Sequence, residues 1–171
     1  FDRIVRPEQI LSSLPQAVQI MLDQADCGPA TISMAQDVQG EAYDYPEIFF
    51  EEKIHEIRRP HPDLNQIQAA AEKIKSSKQP IIISGGGVLY SEAEQELSDF
   101  AKKHNIPVTS TVMGLGCMDN DDPYYIGNIG GLGDKSSNNL SKDTDLALAV
   151  GTKLADFTTG SWSNFENDDF K

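Results

Sequence analysis

Three glycine-bearing turns are the stretches whose residue types and spacing could do chemistry. Ile81-Ile82-Ile83-Ser84 runs into Gly85-Gly86-Gly87, Pro107-Val108-Thr109-Ser110-Thr111-Val112 into Gly114-Leu115-Gly116, and Leu146-Ala147-Leu148-Ala149-Val150 into Gly151-Thr152. Glycine has no Cβ, so it takes φ > 0 and lets another backbone or a ligand approach closely. A helix opening just after such a turn offers N–H groups and a positive dipole end to an anion. Gly85-Gly86-Gly87 therefore reads either as a diphosphate cradle or as a structural turn. It is not G-x-G-x-x-G, because Val88-Leu89-Tyr90 follows Gly87, and no P-loop Lys-Ser pair succeeds it. A second cluster, Gly130 to Gly133, carries Asp134 where an anion would sit, which argues against phosphate there.

The remaining polar candidates are weaker. Asp156, with the hydroxyls of Thr158, Thr159 and Ser161, lies just past a strand end, where it binds a ribose or caps a helix. His55, His61 and His104 lack paired metal-ligand spacing, and Cys27 and Cys117 fall outside any CxxC or zinc pattern. Cys117 has no basic partner nearby in sequence, which disfavours a nucleophile. Trp162 reads as a packing residue.

The elements that must position these groups follow from periodicity. Three short β-branched or apolar runs, each with glycine at its end, suit parallel strands covered on both faces. Before the first strand, Asp63 and Gln66 form a capping box for a helix with Leu64, Ile67, Ala71 and Ile74 on one face. After Gly87, Ser91 and Glu94 form a second box for a helix with Ala93, Leu97, Phe100 and Ala101 inward and Asn105 as its C-cap. A short helix is expected around residues 136 to 142. The alternation predicts an open, parallel, doubly wound α/β sheet with helices on both faces. Ligands of such a sheet bind in the crevice at the carboxyl ends of its strands. With only three strands the sheet is small, and more of it is expected beyond Lys171.

Upstream, residues 7 to 23 predict two helical segments interrupted at Pro15, with Ile10, Leu11, Leu14, Val18, Met21 and Leu22 as their stripe. Asp26-Cys27-Gly28-Pro29 turns into a strand at Ala30 to Met34, and Gln36-Asp37-Val38 leaves it. Residues 1–42 thus resemble the end of a preceding α/β domain. Residues 43–62, with Pro46, Pro60 and Pro62, read as a semi-rigid linker, and residues 63–171 as a second domain that is incomplete at its end.

The composition narrows the function classes. At 171 residues and 39% hydrophobic the chain can bury a real core. Twenty-seven acids against 14 bases give a net charge of -13, which repels a nucleic acid backbone. No apolar run reaches the roughly 18 residues of a membrane span. The first residues, Phe1-Asp2-Arg3-Ile4-Val5-Arg6, lack the segments of a secretory signal and start without methionine, so a piece of a longer chain is expected, and two distant cysteines outside any pairing pattern point to a reducing cytoplasm.

Several stretches together resemble a known family. Gly28-Pro29-Ala30-Thr31-Ile32 with Gln36-Asp37-Val38, Ile57-Arg58-Arg59-Pro60, Gly85 to Ser91, Ile106-Pro107-Val108, and Leu148 to Ser161 are similar to the thiamine-diphosphate enzymes of the acetolactate synthase superfamily. The GGGVLYS and DFTTGS stretches resemble its branch of ring-opening hydrolases acting on a cyclic 1,2-dione in myo-inositol breakdown. The resemblance implies three domains, of which this chain covers the end of the pyrimidine-binding domain, the linker and most of the central domain. It places the catalytic glutamate upstream of Phe1 and the motif for Mg²⁺ and the cofactor diphosphate downstream of Lys171. No catalytic or metal-binding residue is then expected here, and the piece alone should be inactive. The implied partners are the flanking domains, a small cyclic dione, and further copies in a homodimer or homotetramer. Some relatives hold FAD or another nucleotide in the central crevice, whose counterpart here would be a vestigial pocket at Gly85, Gly86, Gly114, Thr152 and Asp156. Two other functions fit the same residues: acetolactate synthase or a related carboligase, and a non-catalytic nucleotide-binding module.

Overall fold

In the computed structural model, residues 1–23, 27–57 and 60–171 are described; the turn at Asp26 and the Arg58-Arg59 pair lie outside them. The chain forms two compact units, Phe1–Pro62 and Asp63–Lys171.

In the first unit, β1 (Asp2–Ile4) pairs in parallel with β2 (Ile32–Met34), Asp2 opposite Ile32 and Ile4 opposite Met34. Neither the strand at Asp2 nor its pairing is visible in a three-residue segment with one apolar side chain. Between them α1 (Ile10–Met21) follows a 3₁₀ turn at Pro7–Gln9. The predicted break at Pro15 does not occur: Pro15 lies inside a continuous helix. Its ring removes one N–H and crowds the carbonyl four residues back, yet the helix runs on through it to Met21. The predicted stripe is also displaced. Ser13 and Ala17 are the buried residues of α1, while Leu14 and Met21 are exposed. Small side chains let the helix approach β1, where Ser13 Oγ donates to the Asp2 carboxylate. A one-turn α2 (Gln36–Gln39) and a 3₁₀ turn at Glu47–Phe50 follow, the latter in an aromatic group with Phe49 and Phe50 rings 5.5 Å apart.

The second unit is an α/β layer built on a parallel four-stranded sheet in the order β5-β4-β3-β6. The strands are β3 (Pro80–Ser84), β4 (Val108–Ser110), β5 (Tyr125–Asn128) and β6 (Leu146–Val150). Central β3 is a run of three fully buried isoleucines. Ile82 joins Val88, Leu97, Ala101 and Val108 on one face, and Ile81 and Ile83 join Ile129 on the other. The helices are α3 (Leu64–Ser76), α4 (Gly86–Tyr90), α5 (Glu94–His104), α6 (Lys135–Asp143) and α7 (Asp156–Thr159). Asp63 caps α3 as predicted, its Oδ1 accepting from Asn65 N at 2.9 Å and Gln66 N at 3.1 Å. Asn105 ends α5 in the left-handed region.

Two predicted boundaries move, and one strand is added. The helix expected from Ser91 starts later: Ser91 ends the preceding α4, and α5 begins at Glu94 with Ala93 as its N-cap. Strand β4 stops at Ser110, because Val112–Gly114 winds into a 3₁₀ turn. The sheet gains β5, hidden in the Gly-, Asn- and Asp-rich stretch after Met118, so it has four strands and not three.

Candidate functional site

The carboxyl ends of β3, β4 and β6 meet as predicted, but the glycines there work through contact and not through unusual dihedrals. Gly85, Gly86, Gly87 and Gly114 do not lie at positive φ. A Cβ on Gly85 would stand 2.5 Å from both Gly151 O and Thr152 Cβ, and one on Gly87 2.6 Å from Gly151 Cα. One on Gly114 would collide with Ser84 O, and one on Gly86 would stand 3.0 Å from Met113 O. Backbone thus packs directly on backbone. Two turn glycines are exceptions in conformation: Gly151, whose φ of +59° requires glycine as well as its contacts do, and Gly116, which lies at φ +92° with nothing near its missing side chain.

Hydrogen bonds close the same seam. Gly85 N donates to Val150 O (2.9 Å), Gly87 N to Gly151 O (2.8 Å) and Thr111 N to Ser84 O (2.8 Å). Two of the three amides in the Gly85-Gly86-Gly87 turn are therefore spent inside the chain. Gly86 opens only a five-residue helix. One amide is not the set of converging donors that a diphosphate cradle uses, so the residues present do not fit a dinucleotide diphosphate at this turn.

Thr152 and Gly85 are in contact, and Gly114 lies on Ser84 and Gly85. Asp156 begins α7 behind the N-cap Ala155, and its carbonyl accepts from Ser161 N at 3.0 Å. α7 itself packs on the second glycine cluster, where Gly131 N donates to Phe157 O at 2.8 Å. Asp134 is engaged in that turn, its Oδ2 accepting from Asn128 N at 2.8 Å.

Beneath the seam lies a polar pair that sequence spacing did not reveal. Ser84 Oγ and Cys117 Sγ are 2.7 Å apart, both fully buried, 33 residues apart in the chain. Burial pushes the Cys117 thiol up, which disfavours the thiolate that a nucleophile needs. Beside it, Thr111 is 5% exposed, and its Oγ1 finds no hydrogen-bond partner among the described residues. Among the described residues no group of three His, Cys, Asp or Glu side chains is placed to hold a metal. No helix among them is long and apolar enough to cross a membrane.

The ends of three parallel strands are thus closed by their own backbones. Sequence comparison gives the family of this unit: a model of the family described as "Thiamine pyrophosphate enzyme, central domain" matches residues 67–171. The chain belongs to this family. The matched region coincides with the unit that carries the sheet, so the seam described above is the strand-end crevice of a thiamine pyrophosphate enzyme central domain. Similarity extends past this central domain to nearly the whole chain. It is 46% identical over 167 residues to a 3D-(3,5/4)-trihydroxycyclohexane-1,2-dione hydrolase of Clostridium perfringens (strain 13 / Type A), covering 98% of this chain and 26% of that protein. It is 45% identical over 169 residues to the protein of the same name from Clostridium botulinum (strain Alaska E43 / Type E3), and 41% identical to that from Bacillus thuringiensis (strain Al Hakam); each match covers 99% of this chain and 26% of the relative. The chain thus spans about a quarter of the length of the curated relatives it matches.

Proposed function

We propose that the chain is the middle portion of a longer thiamine-diphosphate-dependent hydrolase that opens the ring of 3D-(3,5/4)-trihydroxycyclohexane-1,2-dione in myo-inositol breakdown. The observation that carries this reading is 46% identity running across 98% of the chain, through both compact units, to a hydrolase of that name. Residues 1–42 then close a pyrimidine-binding domain, 43–62 link, and 63–171 form the central domain. The assembled enzyme is a cytoplasmic homodimer or homotetramer.

When bound, thiamine diphosphate supplies a carbanion that adds to a ketone carbon and lets the neighbouring carbon–carbon bond break. The cofactor and its Mg²⁺ are held by the flanking domains. The work of this chain is positional: the seam between β3, β4 and β6 is a rigid block to which those domains attach. The strand-end crevice at Gly85, Gly86, Gly114, Thr152 and Asp156 is vestigial, retaining the outline of a nucleotide site without its amide donors.

The test is turnover of the cyclic dione and of pyruvate by the full-length protein with thiamine diphosphate and Mg²⁺. Ring opening of the dione with no condensation of pyruvate is the expected outcome; condensation of pyruvate in its place would make the protein a carboligase. The 171-residue chain alone, given the same additions, should be inactive, and turnover by it would overturn the assignment of the chemistry to flanking domains. Calorimetry with FAD and with ADP should give no heat of binding.

A further inference from the structure

The sheet face that carries Ile82 is incompletely filled. Leu148 and Val150 of β6 pack on the same cluster as Ile82, yet both are only half-buried. Over them opens an apolar cavity of about 390 Å³, walled on the helix side by Val88, Leu97 and Phe100. The space follows from small residues at three positions that face it: Gly87 and Gly151 have no side chain, and Ala93 has a single methyl. Helix α3 reaches the same cluster through Ile74, but no α3 residue is buried and none lines the cavity. Gly85, Gly86, Gly114, Thr152 and Asp156 do not line it either, so this site is separate from the strand-end crevice.

Volume and lining together define what fits. Pockets for small ligands run to about 300–1,000 Å³, and an apolar cavity of about 150 Å³ already takes benzene, so this one holds a ring with a short chain. Among its lining side chains only Ser91 and Glu96 carry polar atoms, and none is Lys, Arg or His. Glu96 is exposed in the first turn of α5 and forms no ion pair among the described residues. A charged group without a partner is costly to bury, so a charge on the ligand stays at the mouth, next to this carboxylate. An anionic head would meet a like charge there on a chain of net charge -13; a cationic head would meet its opposite.

We propose that this cavity binds a hydrophobic amine, with a hydrocarbon ring or short chain against Leu97, Phe100 and Leu148 and its ammonium group at the mouth beside Glu96. The inference does not depend on which reaction the longer protein performs.

Isothermal calorimetry of the full-length protein with 4-phenylbutylamine, 4-phenylbutanol and 4-phenylbutyrate tests it. The amine should bind at one saturable site per chain with a Kd of about 0.1–1 mM. The alcohol should bind about two- to fivefold more weakly, and the carboxylate about tenfold more weakly, than the amine. Glu96→Gln, a change at an exposed position, should bring the amine to the affinity of the alcohol and leave the alcohol unchanged. Ala93→Leu extends a side chain into the cavity and should abolish binding of all three while the circular dichroism spectrum stays that of the wild type. Methyl NMR locates the site without any variant: the amine should shift Leu97, Leu148 and Val150 and leave Val112 and Leu115 in place. Heat that never saturates, equal affinity for the amine and the carboxylate, an amine affinity unchanged by Glu96→Gln, or unshifted Leu97 and Leu148 methyls would each overturn the proposal.

Discussion

Gly87→Ala places a methyl group 2.6 Å from Gly151 Cα, 2.8 Å from its carbonyl oxygen and 3.0 Å from its carbonyl carbon. All three are backbone atoms, and Gly151 is held by the bond from Gly87 N and by a φ of +59°. No side chain can swing aside, so relief requires the ends of β3 and β6 to part. Overpacking of this kind costs about 1–3 kcal/mol. Alanine returns up to about 1 kcal/mol as a better helix former in α4. The expected net loss is about 1–2 kcal/mol, or roughly 4–10 °C in melting temperature for a unit of this size. Gly131→Ala is the control: its new methyl would meet Phe157 atoms at 3.8 and 3.9 Å, ordinary contact, and should change stability by no more than about 0.5 kcal/mol. Gly151→Ala crowds the same gap from the other side and adds about 1–2 kcal/mol for a left-handed alanine. Because the two methyls share one gap, the double variant should depart from additivity by at least about 0.5 kcal/mol. Urea denaturation followed by circular dichroism measures all four. A Gly87→Ala protein that unfolds with the wild type, or a strictly additive double variant, would refute the claim that this seam is closed by backbone contact.

Thiol reagents should separate the two cysteines: exposed Cys27 reacts at once, while Cys117 reacts only as the second unit unfolds, seen as one fast and one slow equivalent. The Asp145 carboxyl is held below its ordinary 3.8 by the Lys78 N–H first, then by Ser77 Oγ and the Gln79 N–H. A depressed carboxyl contributes stability above its unfolded value and loses it as pH falls from about 3.8 through the lower folded value. Asp145→Asn should therefore be less stable than wild type at pH 7 and lose less between pH 5 and pH 2, read from urea midpoints across that range. Asp63→Ala removes the acceptor for the Asn65 and Gln66 N–H groups and should cost α3 about 1 kcal/mol, seen as faster exchange of those two amides.

Legibility in the sequence tracked how local the deciding interaction is. Strand β3 was visible because three isoleucines in a row suit only a strand buried on both sides, and the Asp63 and Asn105 caps were visible because capping acts within one turn of helix. β1 and β5 were not visible, since each exists through its neighbour. Asp2–Ile4 has one buried apolar side chain and gains its ladder from β2, 30 residues away. Tyr125–Asn128 sits among turn formers and is held by β4 through an irregular register, with Ser110 Oγ bonding Asn128 Oδ1 at 2.6 Å. Pro15 misled in the opposite way: proline's local cost is definite, yet α1 continues through it from Ile10 to Met21. At Ser91 the capping pattern Ser-x-x-Glu was present, but α4 claims Ser91 as its end, and the local rule yielded to the preceding element.

For the crevice, sequence located the residues and left their role open. Glycine serves two physical purposes, permitting positive φ and permitting close approach, and a run of three does not say which. The structure separates them: Gly85, Gly86 and Gly87 are needed for what they touch, and Gly151 for both reasons. That distinction bears on function, because a turn kept open for an anion would leave its amides free, whereas Gly85 N and Gly87 N reach across to β6. The same contacts lock the ends of β3 and β6, and Gly114 on Ser84 and Gly85 locks β4 to them. Three strand ends joined backbone to backbone give the sheet a stiffness that an open cleft at the same place would forfeit.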